Sequence, residues 1–148
     1  MKLVFFGTPE FAVPTLKALH DSEHEILGVV TSPDRKSGRG LKVKSSAIKK
    51  CSEKYGLPIY EPESTSSKQL HSTLKQINPD IYVVVAYKIL PESILNIPNK
   101  GAVNLHASLL PKYRGAAPVN HAILNGDNEI GLSTFLIKKK VDSGDLLF

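Results

Sequence analysis

The sequence has little of what marks secreted, metal-dependent and membrane-spanning proteins. Its 148 residues include one cysteine, Cys51, so no internal disulfide framework can form. With one cysteine, a zinc site is disfavoured as well, because His20, His24, His71 and His121 are scattered at no metal-ligand spacing. No run of about 18 apolar residues occurs, and the apolar start stops at Gly7, too early for a signal peptide. We therefore expect a cytoplasmic protein with no metal and no contact with a membrane.

Three common enzyme signatures are also missing. The turn at Gly7, Thr8 and Pro9 follows an apolar run but lacks the further glycines of a dinucleotide loop and the Gly-Lys-Ser/Thr of a phosphate loop. The sequence contains no Gly-x-Ser-x-Gly elbow. Dehydrogenase and serine hydrolase functions are therefore poorly supported.

Positive charge is abundant and unevenly distributed. The formal net charge is +5, and lysines and arginines concentrate between Arg35 and Lys50. A basic cluster favours an anionic partner such as a nucleic acid, although a solvated cationic face explains the charge equally well.

Strand and helix patterns alternate along the chain. Apolar runs at Lys2–Phe6 and Glu25–Thr31 flank a helical pattern and predict a βαβ unit, and "IYVVVAY", "GAVNLH" and "GLSTFLI" predict later strands. The fold class is therefore α/β, with an open, Rossmann-like, mostly parallel sheet and helices on both faces. The segment Ser32–Ser46 has no hydrophobic periodicity, which predicts a long exposed loop. The final apolar "GDLLF" suggests that the domain lacks its last elements.

Polar residues follow the strand predicted at "GAVNLH". Open parallel sheets bind ligands at the carboxyl ends of their strands, and Asn104 and His106, two residues apart, would share one face there. An amide can donate to a developing oxyanion, and an imidazole can move a proton near neutral pH. Asp142 is the best carboxylate partner for the imidazole, with Asp145 as competitor. Spacing alone favours the plainer interpretation, in which Asn104 caps a strand, His106 is a satisfied half-buried histidine and Asp142 begins a turn.

Several strings together carry a family resemblance. The segments "FFGTPEFAVPTL", "TSPDRKSGRG", "VVVAY", "NLHASLLPKYRGAAPVNHAILNGD" and "VDSGDLLF" closely resemble, in this order, the N-terminal catalytic domain of methionyl-tRNA formyltransferases. The resemblance spans residues 1–148. The Asn-x-His-x-Ser-Leu-Leu-Pro string is shared more widely by enzymes that use formyltetrahydrofolate, whereas "GTPEFA", "SPDRxxGRG" and "YRGAAP" indicate the tRNA enzymes.

The resemblance implies a reaction and a role for each catalytic residue. A formyl group would pass from 10-formyltetrahydrofolate to the amino group of initiator methionyl-tRNA, in translation initiation. Asn104 and a protonated His106 would stabilise the oxyanion, and Asp142 would orient His106.

The resemblance also implies two sets of binding residues. Folate would contact Tyr87, Ile89, Leu90, Pro91, Ser108, Leu109, Leu110 and Pro111. The acceptor stem of the tRNA would contact Arg35, Lys36, Arg39, Lys42, Lys44 and Arg114.

The tRNA enzymes that the chain resembles are longer and end in a β-barrel domain that grips the tRNA. Residues 1–148 would then be an incomplete catalytic domain without that barrel, and we expect a monomer. Two alternatives stay open: a sugar-nucleotide N-formyltransferase, and a folate- or RNA-binding remnant without catalysis. The basic "SPDRKSGRG" segment argues against the sugar enzyme, because a small nucleotide sugar needs no such arm.

Overall fold

The apolar runs form a six-stranded sheet in the computed structural model, which describes residues 1–37, 42–138 and 144–148. The strands of the described residues are β1 (Lys2–Gly7), β2 (Glu25–Val30), β3 (Arg35–Ser37), β4 (Lys42–Lys44), β5 (Ile59–Tyr60), β6 (Ile81–Val85), β7 (Ala102–His106) and β8 (Ser133–Leu136). The main sheet has the order β5-β2-β1-β6-β7-β8. Its first five strands pair in parallel, and β8 pairs antiparallel with β7. The prediction of a mostly parallel α/β sheet is confirmed.

Helices connect these strands and cover both faces of the sheet. They are α1 (Val13–His20), preceded by a 3₁₀ turn at Glu10–Ala12, then α2 (Ala47–Lys54), α3 (Lys68–Ile77), α4 (Glu92–Leu95) and α5 (Pro118–Leu124). Serine hydroxyls cap two of them: Ser46 accepts from the Lys49 N–H and Ser67 from the Leu70 N–H. Such caps satisfy amide donors that have no partner inside the helix. None of the helices in the described residues is long and apolar enough to cross a membrane.

Strand alternation divides the apolar residues into two cores. Val4, Phe6, Tyr82 and Val84 point to one face, where they pack with residues of α3 and α4 such as Leu74. The intervening residues of the same strands point to the other face and pack against α1 and α2, in a cluster that includes Leu3, Phe5, Val85, Leu16, Ile48 and Cys51. Burial raises the pKa of the Cys51 thiol, which disfavours the reactive thiolate.

The segment predicted as an exposed loop without regular structure contains a hairpin. β3 and β4 pair antiparallel, with Arg35 opposite Lys44 and Ser37 opposite Lys42. The loop prediction for Ser32–Ser46 is therefore wrong at these two strands. Each strand has three residues and is almost wholly polar, so hydrophobic periodicity gave no signal. Arg39, with the glycines on either side of it, lies outside the described residues.

A network of three charged side chains fixes the start of this hairpin. The Nζ of Lys49, on α2, lies 2.8 Å from Asp34 Oδ2 and 2.9 Å from Glu61 Oε2. The three side chains are partly shielded, with exposed fractions of 18% for Lys49, 30% for Asp34 and 28% for Glu61. The hydrogen bond from Lys49 lowers the pKa of Asp34, and the two carboxylates raise the pKa of Lys49.

This network predicts a pH-dependent contribution to stability. Because the folded state lowers the pKa of Asp34, its contribution is present above the unfolded value of about 3.9 and is lost as the pH falls through the lower, folded value. Lys49→Met should therefore reduce the loss of thermal stability between neutral pH and pH ~3. The exposed neighbour Lys50 supplies the control, Lys50→Met. Equal pH dependence in the wild type and Lys49→Met, measured by thermal unfolding, would contradict the assignment.

Candidate active site

The carboxyl ends of the central strands meet at one edge of the sheet. Gly7, the last residue of β1, pairs with Val85, the last residue of β6. A Cβ at Gly7 would lie 3.2 Å from the carbonyl oxygen of Val85 and 3.0 Å from the Cβ of Ala12, so a side chain at this position would be tightly crowded. The Thr8 and Ser32 hydroxyls, which follow β1 and β2, lie 3.1 Å apart. The loops predicted to meet at this edge therefore begin together.

A cavity of about 590 Å³ lies over β6, β7 and β8, on the face that α3 and α4 cover. Its sheet wall consists of Val84, Ala102, Asn104, Phe135 and Ile137. The segment Tyr87–Leu90 and residues of α4 close the opposite side. The volume and the mostly apolar wall with a few polar groups are typical of a small-molecule site.

The segment after β6, whose residues line this cavity, contains several polar groups that lack partners. The buried hydroxyl of Tyr87 accepts and donates no hydrogen bond within the described residues. Burial raises the pKa of Tyr87 to about 12, so the hydroxyl keeps its proton at neutral pH and can donate it. Within the same described ranges, Lys88, Ile89 and Leu90 form no main-chain to main-chain hydrogen bond. These groups are suited to recognise a polar, planar ligand.

The two polar residues of β7 occupy adjacent positions on the cavity face. Asn104 pairs with Val84 on one side and Phe135 on the other, and all three line the cavity. His106 lies two residues further along the strand and is only 6% exposed. Its Nε2 is 2.9 Å from the carbonyl oxygen of Tyr113. An amide donor and an imidazole thus stand on one face at the carboxyl end of a strand.

Asp142 and Asp145 are the two carboxylates predicted as possible partners for His106. Asp142 lies outside the described residues. Asp145, the competing candidate, is exposed and its Oδ1 lies 2.7 Å from Lys138 Nζ. Among the residues that the structure describes, no group of three histidine, cysteine, aspartate or glutamate side chains could hold a metal ion.

A serine network holds the loop that follows His106. The Ser108 hydroxyl donates to the carbonyl oxygen of Lys112 at 2.7 Å. The Ser133 hydroxyl, on β8, donates to the Ser108 carbonyl at 2.8 Å and accepts from the Leu110 N–H at 3.1 Å. Ser133 is 4% exposed, so β8 clamps this loop through a buried hydroxyl. Sequence reasoning missed Ser133, because a serine inside a strand pattern carries no local sign of a partner 25 residues away.

The residues expected to contact folate are divided between two cavities. Tyr87, Ile89 and Leu90 line the 590 Å³ cavity. Ser108 and Leu109 line a second cavity of about 410 Å³, with Lys112, Tyr113 and Asp127. Neither cavity, as formed by the described residues, is lined by Pro91, Leu110 or Pro111.

The residues expected to contact RNA lie on two elements. Arg35 and Lys44 are exposed and face each other across the hairpin, whose strands also contain Lys36 and Lys42. Arg114 is exposed in the turn between the Leu-Leu-Pro segment and α5.

Comparison with known proteins identifies the family. The family model described as "Formyl transferase" matches residues 1–148. The chain belongs to the formyl transferase family. Among its curated relatives, the methionyl-tRNA formyltransferase of Caldanaerobacter subterraneus subsp. tengcongensis is 51% identical over 149 residues, and that of Clostridioides difficile is 47% identical over 148. Both alignments cover 99% of this chain but 48% of the relative, so the chain spans about half the length of these relatives.

Two solved structures share this fold. The phosphoribosylglycinamide formyltransferase of Streptococcus pneumoniae superposes with a TM-score of 0.78 at 18% identity, covering 99% of this chain and 79% of its own. A formyltetrahydrofolate deformylase from Pseudomonas syringae pv. tomato gives 0.76 at 19% identity, covering 99% of this chain and 49% of its own. At these identities the likeness concerns the fold alone.

The serine network can be tested on two neighbouring residues. Ser133→Ala should lower the free energy of unfolding by about 1–3 kcal/mol, because it removes the partner of a buried carbonyl and of an N–H. Thr134→Val is the matched control, since the buried Thr134 hydroxyl has no partner within the described residues. Removing that hydroxyl should not lower the free energy of unfolding, because no hydrogen bond is lost and a buried polar group without a partner is itself destabilising. Urea unfolding measures both, and equal losses in the two variants would refute the clamp.

Proposed function

We propose that this chain catalyses transfer of the formyl group of 10-formyltetrahydrofolate to the α-amino group of initiator methionyl-tRNA, in the cytoplasm. The observation that carries the proposal is the position of Asn104 and His106 on one face beside a ligand-sized cavity, in a chain of the formyl transferase family. The acceptor is proposed from the curated relatives, which are named methionyl-tRNA formyltransferases and reach 51% identity.

The larger cavity has the features that a folate ring requires. Val84, Ala102, Phe135 and Ile137 offer an apolar wall for a flat heterocycle. The main-chain groups at Lys88–Leu90, which form no main-chain to main-chain hydrogen bond in the described residues, are proposed to supply donors and acceptors for the polar edge of the ring, and Tyr87 is proposed to contact the ring from the same segment. Leu90 is 7% exposed and packs in the hydrophobic core, and this packing anchors the segment. We assign the ring to this segment and to Pro91, which precedes α4, and the one-carbon group to the Asn104 end. Ser108–Pro111 stay proposed folate contacts from outside this cavity, since none of them lines it in the described residues.

The reaction needs a donor for negative charge and a route for a proton. The amine nitrogen attacks the formyl carbon, the carbon to N10 bond breaks, and the amine proton replaces the formyl group on N10. The Asn104 amide N–H₂ can donate a hydrogen bond but cannot transfer a proton near neutral pH. Its proposed role is therefore to stabilise the charge that develops on the formyl oxygen. The His106 imidazolium also stabilises that charge; once it has given a proton to the departing N10, the neutral ring can accept the amine proton. Asp142 is proposed to orient this imidazole.

The hairpin is proposed as the arm that contacts the acceptor stem. Arg35 and Lys44 lie opposite each other on its exposed surface, and the backbone of Lys36 and Lys42 belongs to the same two strands. Lys49 fixes the start of the arm to α2. Arg39, within the same segment, and Arg114, in the turn beside the loop after His106, complete the proposed RNA-binding set.

A histidine variant tests the catalytic assignment. His106→Ala should lower kcat for formylation by about 10²- to 10⁴-fold, because it removes the group that moves the proton. His121→Ala, on the exposed surface of α5, is the matched control and should leave kcat unchanged. The assay uses the whole gene product, 10-formyltetrahydrofolate and charged initiator tRNA. Comparable kcat in the wild type and His106→Ala would overturn the assignment, and absence of formylation in the wild type would overturn the proposed function.

Salt dependence tests the RNA-binding arm. Each phosphate contact that releases a counterion steepens the fall of affinity with salt. Replacing Arg35 or Lys44 with serine should therefore reduce the slope of log K against log[salt] by about 1 each. Lys75→Ser, on the exposed side of α3, should leave the slope unchanged. If the wild type and the three variants bind tRNA with identical salt slopes, the hairpin does not contact the tRNA.

A further inference from the structure

The hydrogen bond of His106 defines which ring nitrogen carries a proton. Nε2 lies 2.9 Å from the carbonyl oxygen of Tyr113, and a carbonyl oxygen can only accept. Nε2 must therefore be the donor, and the neutral ring is the Nε2–H tautomer.

The residue that supplies this carbonyl is itself anchored. The Tyr113 hydroxyl donates to Asp127 Oδ2 at 2.7 Å and accepts from Asn125 Nδ2 at 3.1 Å. Asn125 ends α5, and the Asp127 N–H donates to the carbonyl of Ala122, a buried residue of that helix. The aromatic ring thus ties the loop after His106 to the carboxyl end of α5.

The backbone conformation of Tyr113 indicates that its side chain is needed at this position for its contacts and not for the turn itself. Its φ is 55°, in the left-handed region where a residue with a side chain is strained. Gly115, two residues later, adopts a similar φ of 95° without that strain. A turn alone is better served by glycine at both positions, whereas only a long side chain with a hydroxyl reaches Asp127 and Asn125.

We propose that Tyr113 is a positioning residue for His106: its anchored ring holds the carbonyl that keeps the His106 proton on Nε2 and fixes the orientation of the imidazole. This inference rests on the proposed function for its catalytic meaning. The tautomer itself is a property of the resting protein and is measurable without turnover.

The direct test is nuclear magnetic resonance of protein labelled with ¹⁵N-histidine, at a pH where the His106 ring is neutral. The His106 signals are assigned by their loss in His106→Gln. The wild type should show the Nε2–H tautomer. Tyr113→Phe, which removes only the hydroxyl, and Asp127→Ala should both show a mixture of tautomers. Asp127→Asn keeps an acceptor oxygen for the Tyr113 hydroxyl and should resemble the wild type.

Kinetics supply the second readout. Tyr113→Phe should lower kcat roughly tenfold, the size expected for loss of one orienting hydrogen bond, with KM for the folate unchanged. A proton on Nδ1 in the wild type, wild-type spectra in both Tyr113→Phe and Asp127→Ala, or an unchanged kcat in Tyr113→Phe would each overturn the inference. If no formyl transfer occurs in any protein, the proposed function fails and the spectra alone decide the role of Tyr113.

Discussion

The hydrogen-bond ladder between β6 and β7 is the constraint on which the candidate site depends. It aligns Val84 with Asn104 and Val85 with Leu105, so the segment after β6 and the polar end of β7 leave the sheet at the same edge. Because side chains alternate across a strand, a shift of one residue would present Leu105 to the cavity in place of Asn104. The apolar partners on both sides of these strands make that shift costly. Core packing and site geometry therefore have the same physical origin.

The parts of the molecule that local patterns encode were predictable from the sequence. Apolar runs bounded by turn residues identified the parallel strands, and the two-residue spacing of Asn104 and His106 placed them on one face. The contacts that complete the site were not predictable, because they join positions far apart: Ser133 with Ser108, and Tyr113 with Asp127. The hairpin escaped detection because its strands are short and polar. The catalytic roles came from family resemblance, since spacing alone favoured an ordinary strand end.

The exposed cations of the hairpin have few carboxylates nearby with which they could form ion pairs. The nearby carboxylates of Asp34 and Glu61 are both engaged by Lys49, which belongs to α2 and not to the arm. In the described part of the chain, no ion pair involves Arg35 or Lys44. Two cationic strands side by side repel each other, and a polyanion that binds them relieves this repulsion. The shielded network at the start of the arm thus leaves its outer charges available to a partner.

The hydrogen bonds of Ser133 make the candidate site sensitive to the register of β8. β8 is the strand that reverses the direction of the sheet, and its register against β7 places Ser133 opposite His106. A slip of two residues would keep the same faces inside and outside, and would bring Phe135 to the place of Ser133. The core would tolerate that arrangement better than the loop would, because no hydroxyl would then meet Ser108 and Leu110. Under the proposed function, a molecule with misaligned β8 would be well packed but would not catalyse formyl transfer, so activity would report the register of this strand.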